Sequence, residues 1–513
     1  MSNIDRIDKI VILDFGSQYA HLICRRIREL GVYAELLPYN TPIDKIIDKN
    51  VKGIIFSGGP ASVYEEDAPL ADKRILDLNI PILGICYGHQ FIVHSLGGKV
   101  KRAKREYGRA ELLIDDNTDL FKNFDGKTIC WMSHADAADT LPEGFEVIAH
   151  TNNSFAAAIR DNKRKIYGIQ FHPEVAHTER GIEILKNFVF NICKAKPEWS
   201  MENFIEQTIK ELRKELDGNV LCATSGGVDS TATALLLHKA IGNRLKCLFV
   251  DHGLLRENEG EEVLSMFKEL GINLIYIDAK ERFLKRLKGI TDPEEKRLVI
   301  GEEFANVFEE AVKTHGPFKW LAQGTLYPDV IESGVSKGPA ARIKSHHNVA
   351  GLPDWLSMKV IEPLRLLYKD EVRQIARMLG MPERMINRHP FPGPGLAVRI
   401  IGEVNEEKLA ICRKASKIVE EELLNADLYD KVWQAFAIVG DDKAVGVLGD
   451  ERQYGRIVSI RVVESLDAMT ADWSKLPYDL LSKMSNRITN EIEGVTWVTY
   501  VVSSKPPATI EPQ

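Results

Sequence analysis

The hexapeptide Ser225-Gly226-Gly227-Val228-Asp229-Ser230 constrains this chain more than any other stretch. Asn219 to Thr224 before it reads as a short buried strand, and Thr231 to Ala240 after it as an apolar helix ended by Gly242, which puts the hexapeptide at a strand-to-helix turn. Two glycines let the backbone approach an anion closely, successive N–H groups form a concave nest, and the helix N-terminus adds partial positive charge. The turn is therefore expected to hold a phosphate, with Ser225, Gly226, Gly227, Val228, Asp229, Ser230 and Thr231 as its contacts. No Gly-Lys-Ser/Thr follows, so it is not a Walker A loop; a plain Gly-Gly turn between strand and helix is the alternative.

A chain of 513 residues is too long for one core, and one domain per ~150 residues suggests three. A net charge of -7 argues against a nucleic-acid binder that relies on a wide basic surface. No apolar run approaches the ~18 residues of a membrane span. Asp5, Arg6, Asp8 and Lys9 before the first strand leave no signal-peptide apolar core, so the expected setting is cytoplasmic, with neither nucleic acid nor membrane as a partner. The seven cysteines (Cys24, Cys86, Cys130, Cys193, Cys222, Cys247, Cys412) are odd in number and contain no C-x-x-C pair, which indicates neither a disulfide framework nor a zinc site. A cysteine that matters here matters by its reactivity.

In the first 190 residues apolar strands alternate with helices: Lys9 to Phe15, a helix from Gln18 to Leu30, Val32 to Leu37, a helix from Pro42, Gly53 to Phe56, a helix through Arg74, and Ile80 to Ile85. Such alternation predicts a parallel sheet with chemistry beyond the carboxyl ends of its strands. Two Gly-bearing turns fall there, Ser57-Gly58-Gly59-Pro60 and Gly84-Ile85-Cys86-Tyr87-Gly88. The second has the G-x-nucleophile-x-G form of a nucleophile elbow and puts Cys86 at a helix N-terminus, which favours a thiolate. His172 and Glu174, in Gln170-Phe171-His172-Pro173-Glu174, supply a base and an orienting carboxylate. Singly, the three read as a small buried residue, a core histidine and a surface carboxylate.

Together, Cys86, His172 and Glu174 resemble the class I glutamine amidotransferases over residues 1–195. The resemblance implies a glutamyl thioester on Cys86, release of ammonia, an oxyanion held by the backbone N–H groups of Gly59 and Tyr87, and Gln90 near the bound glutamine. Trp131-Met132-Ser133-His134-Ala135-Asp136 is similar to another stretch of that family, with Ala135 where a glycine is usual.

Lys194-Ala195-Lys196-Pro197-Glu198-Trp199 is a polar, proline-bearing join, after which Ser200 is placed to cap a helix. Residues 200–388 read as a second α/β domain around the phosphate loop, which resembles the pyrophosphate loop of the ATP pyrophosphatases, enzymes that split ATP between its α and β phosphates. Asp229 is the chosen Mg2+ ligand, with a carboxylate facing the helix dipole as the alternative. In the Gly-, Ser-, Lys- and His-rich stretch 332–355, the charges of Lys337, Arg342 and Lys344 fit a lid over a triphosphate and a solvated basic loop equally; His346 and His347 are adjacent and lack metal-site spacing.

Arg388-His389-Pro390-Phe391-Pro392-Gly393-Pro394-Gly395-Leu396-Ala397-Val398-Arg399 allows neither helix interior nor central strand and predicts a shaped connector. Beyond it, residues 389–513 read as a small α+β domain with one sheet face that a second subunit could cover. The predicted fold class is thus α/β, two parallel-sheet α/β domains followed by a small α+β C-terminal domain. This connector, Ser465 to Trp473 and the tail Ser503 to Glu511 resemble the glutamine-hydrolysing GMP synthetases along the whole chain, and Ile343 to Asn348 resembles their lid. The resemblance implies amination of xanthosine monophosphate (XMP) to GMP, with glutamine as nitrogen donor and ATP cleaved to AMP and pyrophosphate through adenylyl-XMP. It also implies Mg2+ with ATP, a homodimer through the C-terminal domain, Lys344 in the lid, and XMP contacts at Arg297, Asp329, Arg388, Lys505 and Glu511. The family ends on an aromatic residue and an acid where this chain has Pro512 and Gln513. The same modules would serve another acceptor, as in NAD synthesis; the C-terminal motifs favour a purine nucleotide.

Overall fold

Short runs of Val, Ile and Leu build the front of the molecule, because strands buried on both faces need apolar residues at nearly every position. In the computed structural model, which describes residues 7–335, 358–448, 450–465 and 470–513, the chain divides into two compact units, Met1–Gln207 and Thr208–Gln513.

The first unit holds β1 (Lys9–Asp14), β2 (Tyr33–Pro38), β3 (Val51–Phe56), β4 (Ile82–Ile85), β5 (Lys99–Ile114), β6 (Lys127–Thr140), β7 (Glu146–His150), β8 (Ala158–Asp161) and β9 (Ile166–Ile169). They form one nine-stranded sheet in the order β2-β1-β3-β4-β9-β8-β7-β5-β6. The stretch β2-β1-β3-β4-β9 is parallel, as the alternation of strands and helices predicts. The rest is antiparallel, an extension that the alternation of strands and helices does not announce: β5 and β6 are long and mix charged with apolar residues, with apolar runs only at Leu112 to Ile114 and Ile129 to Met132. The expected helix through Arg74 is instead irregular chain ending in a 3-10 turn, Lys73–Asp77. Pro69 interrupts it, and the Asp72 carboxylate accepts from the Arg74 N–H at the start of the turn. Ser200 caps its helix as expected, its Oγ accepting from the Asn203 N–H at 3.2 Å.

The second unit carries β10 (Val220–Ala223), β11 (Leu245–Asp251), β12 (Leu274–Asp278), β13 (Trp320–Ala322) and β14 (Lys359–Ile361) in a parallel sheet ordered β12-β11-β10-β13-β14. It also carries β15 (Gln434–Leu448), β16 (Glu451–Glu464), β17 (Asp472–Trp473) and β18 (Val495–Tyr500), with β18 alone parallel to its neighbour β16. The helices Glu406–Asn425 and Tyr478–Glu491 bury Cys412, Val419, Met484 and Ile488 against Val458 and Ile460 of that sheet. The same core continues through Leu396 of the connector and the adjoining Ile400 to Leu254, Phe283 and Val250 of β11, so one apolar mass anchors both sheets of this unit.

Candidate active sites

Gly84 is the penultimate residue of β4 and Gly88 the second residue of the buried helix Tyr87–Ser95. A Cβ on Gly84 would lie 2.5 Å from the Gly88 carbonyl, and one on Gly88 would lie 2.5 Å from the Phe56 oxygen, so the turn admits no side chain at either position. Between them Cys86 adopts φ 53°, ψ -103°, a strained conformation for a non-glycine residue and the signature of a nucleophile elbow. The Cys86 N–H is held by the Ile169 carbonyl at 2.8 Å, which ties the elbow to the strand that leads to His172.

His172 Nδ1 lies 2.7 Å from Glu174 Oε1, and its N–H and C=O are fixed by the Trp131 carbonyl and by Thr178 Oγ1. Burial would push the imidazole pKa down, but the Glu174 carboxylate and a hydrogen bond with the Cys86 thiol outweigh it and hold the pKa well above the ordinary histidine value. The side chains of His172 and Glu174, two residues apart, and of the distant Cys86 form one buried chain of contacts. A cavity of about 360 Å³ opens on this chain and is lined by Gly59, Cys86, Tyr87, Gln90, Asp136 and His172, among others. The backbone N–H groups of Gly59 and Tyr87 meet no acceptor among the described residues. Gln90 Nε2 donates to the Asp136 carbonyl at 2.8 Å, and the Gln170 amide approaches Cys86 Sγ at 3.7 Å.

Asp136 is a buried carboxylate in that cavity, hydrogen-bonded by Ser62 and by Tyr64 Oη at 2.9 Å. Sequence reasoning picked out the stretch that holds it without assigning the residue a task. Its signal was a lone acid in a short motif, and only the folding of β6 against the elbow turns that into a site feature.

In the second unit Gly226 takes φ +75°, and a Cβ there would lie 2.4 Å from Val263 Cγ2. Gly227 leads into the helix Val228–Ile241, whose first-turn N–H groups have no acceptor within the helix. Hydroxyls brace the loop from inside: Ser230 Oγ accepts from the Ser225 N–H at 3.3 Å and lies 3.2 Å from Thr224 Oγ1. Residues 225–230 line a cavity of about 510 Å³ together with Val250, His252, Arg256, Phe304, Lys369, Arg388 and Phe391. Thr231 is fully buried beneath the loop. Lys369, which no sequence motif marked, pairs with Asp229 Oδ2, while Asp229 Oδ1 is buried and receives no hydrogen bond among the described residues. Burial holds the His252 pKa down to about 4, so this imidazole is neutral.

The expected acceptor residues fall in three places. Arg388 lines the phosphate-loop cavity and pairs with Glu259 at 3.1 Å and with Glu262. Arg297 donates to the Gln513 carbonyl at 2.7 Å, Glu511 accepts from Arg399 at 2.9 and 3.1 Å, and Lys505 exchanges backbone bonds with Ala471. Asp329 accepts from the Leu326 N–H at 3.1 Å at the start of its own helix, Tyr327–Val335. Lys337, Arg342 and Lys344 lie outside the described residues.

Residues 11–192 match the family model described as glutamine amidotransferase class-I, residues 199–306 match that of NAD synthase, and residues 421–512 match the GMP synthase C terminal domain. Among solved structures, a glutamine amidotransferase of Thermotoga maritima is 21% identical, covers 39% of this chain and 93% of its own, and has a TM-score of 0.28. The chain is 57% identical over 506 residues to the glutamine-hydrolysing GMP synthase of Pyrobaculum aerophilum, with 98% of this chain and 100% of that one covered. It is 56% identical over 507 residues to that of Caldicellulosiruptor saccharolyticus, with 98% and 99% covered. With more than half its residues identical to those relatives from end to end, this chain belongs to the family of glutamine-hydrolysing GMP synthases.

Proposed function

We propose that the chain aminates XMP to GMP with nitrogen from glutamine, cleaving ATP to AMP and pyrophosphate. The observation that carries the reading is that one chain of this family holds a buried Cys86–His172–Glu174 series in one unit and a phosphate-loop cavity in the other. We assign glutamine hydrolysis to residues 1–195, adenylylation to 200–388, and dimerisation with part of XMP binding to 389–513.

In the first unit Cys86 Sγ, its proton taken by His172, attacks the glutamine carboxamide carbon. The oxyanion meets the N–H groups of Gly59 and Tyr87, donors already in place before charge develops. Glu174 keeps the imidazole oriented, and the imidazolium returns its proton to the departing ammonia. Water activated by His172 then frees glutamate from the thioester. Gln90 and the Asp136 carboxylate face the remainder of the substrate, with Asp136 suited to the α-ammonium group.

In the second unit the XMP C2 oxygen attacks the α-phosphorus of ATP, and pyrophosphate leaves along the donors of Ser225 to Thr231, with Lys344 in the lid. Ammonia adds at C2 and AMP departs, giving GMP. Arg297, Asp329, Arg388, Lys505 and Glu511 are assigned to XMP. The unpartnered Asp229 Oδ1 is a hard oxygen that fits Mg2+, which is usually held by one or two carboxylates together with phosphate oxygens. When bound, Mg2+ would neutralise phosphate charge as pyrophosphate departs. Exposed Val445, Val447, Tyr454 and Trp497 on the C-terminal sheet support a homodimer through that face. The seven free thiols support a reducing, cytoplasmic setting.

Incubation with glutamine, Mg-ATP and XMP, following GMP, AMP and pyrophosphate together, tests the reading: all three should appear in equal amounts. Glutamate without GMP, or turnover of deamido-NAD in place of XMP, would overturn the acceptor.

A further inference from the structure

Phe391 lines the phosphate-loop cavity and is half-buried against the core of the second unit. Two guanidiniums lie over its ring: Arg256 Cζ is 4.2 Å and Arg399 Cζ 5.0 Å from the ring centroid, and Arg399 also lies 4.1 Å from the centroid of Phe436. Like charges gathered on one ring repel each other, and each is balanced by a carboxylate. Arg256 donates to Glu259 at 3.1 Å, which also receives Arg388, while Arg399 makes a paired contact with Glu511 at 2.9 and 3.1 Å. The neighbouring backbone is held from both directions. Arg256 Nη2 donates to the His389 carbonyl at 2.7 Å, and Gln434 Nε2 reaches the Pro390 carbonyl at 3.1 Å and Glu511 Oε1 at 2.7 Å.

We propose that Phe391 is a positioning residue for the amination reaction, a wedge shared by the phosphate-loop cavity and the tail that carries Glu511. The inference rests on the reading above, in which that tail helps to hold the acceptor nucleotide. The ring offers its negative face to both cations, and Pro390 and Pro392 limit the backbone on either side. Displacing the ring therefore frees Arg256 on the cavity side and removes one of the two rings over which Arg399 lies, the other being Phe436. Leucine would fill much of the space but offers no π face, leaving Arg256 without a ring and Arg399 with Phe436 alone.

The experiment uses the full chain with saturating ammonia as nitrogen source, so that Cys86 chemistry does not enter, and measures kcat and the KM for ATP and for XMP. Phe391→Leu should raise both KM values by roughly tenfold, the equivalent of about 1.4 kcal/mol, and Phe391→Tyr, which keeps the ring, should return both to within about threefold of wild type. A change in one KM alone, in neither, or an equal change in the tyrosine variant would overturn the wedge. If Phe391→Leu does not fold, Arg256→Lys keeps the charge and loses the planar stack; an XMP KM that does not move in that variant would overturn it as well. Glu511→Gln tests the underlying reading separately: a raised XMP KM supports it, and a wild-type value removes the tail from acceptor binding whatever the Phe391 variants do.

Discussion

His172 Nδ1 and Glu174 Oε1 stand 2.7 Å apart with both side chains buried, and this contact decides which ring nitrogen of His172 is left to face Cys86. Glu174→Gln keeps the shape and removes the charge that stabilises the imidazolium, so the kcat of glutamine hydrolysis should fall by roughly 10²- to 10⁴-fold. Cys86→Ala should abolish glutamine-driven synthesis and leave ammonia-driven synthesis intact. Loss of both activities in a folded Cys86→Ala protein would refute the division of labour between the two units.

Asp136 should act on glutamine affinity. Truncating one partner of a buried charge pair costs about 2–5 kcal/mol, so Asp136→Asn should raise the KM for glutamine by roughly thirtyfold or more. Ammonia-driven synthesis measured in parallel should be unchanged, and an unaltered glutamine KM would remove Asp136 from substrate binding.

Gly226→Ala puts a methyl group into Val263 at a backbone angle of +75°. Strain at such a position costs of order 1–3 kcal/mol, and the loop is expected to relax away from its phosphate-holding shape. ATP-dependent AMP formation should fall steeply while glutaminase activity persists; a wild-type ATP KM would contradict the assigned role of the loop.

Lys296 is fully enclosed, donating to the Ile400 carbonyl at 2.7 Å and to Gln513 Oε1 at 2.6 Å. Burial, aided by the nearby Lys408 charge, pushes its pKa down to about 8 from an ordinary 10.5. Between these values the unfolded chain binds more protons than the folded one, so stability gained from this group rises with pH across that window. Urea unfolding at pH 7.5 and at about pH 10 should therefore show wild type gaining on Lys296→Met as pH rises; a constant difference would mean that the lysine is not perturbed.

The phosphate loop and the elbow were legible because each is a short run of glycines and small polar residues whose backbone conformation is dictated locally. The parallel core was legible for a similar reason, since β1, β3, β4 and β10 are apolar at almost every position. The antiparallel extension was not. Strands such as β5, with Lys99, Lys101, Arg102 and Glu106, carry mixed charges along most of their length, with an apolar run only at Leu112 to Ile114, and pair with β6 over nearly all of it. Lys369 sits in no motif that marks charge chemistry, and Arg256 is legible only as one polar residue at the end of a strand; their tasks emerge where separate elements converge on the loop.

By itself the sequence determined the parallel strands, the turn that exposes Cys86 and the nest at Ser225 to Ser230, because glycine tolerance and apolar runs act over a few residues. Tertiary structure alone decided that Asp136 faces the cavity of Cys86, that Lys369 meets Asp229, and that Arg256 and Arg399 both lie over Phe391. Those relationships join residues tens to hundreds of positions apart or depend on which way a loop turns, and they arise from the packing of strands and helices against shared cores, which no local pattern encodes.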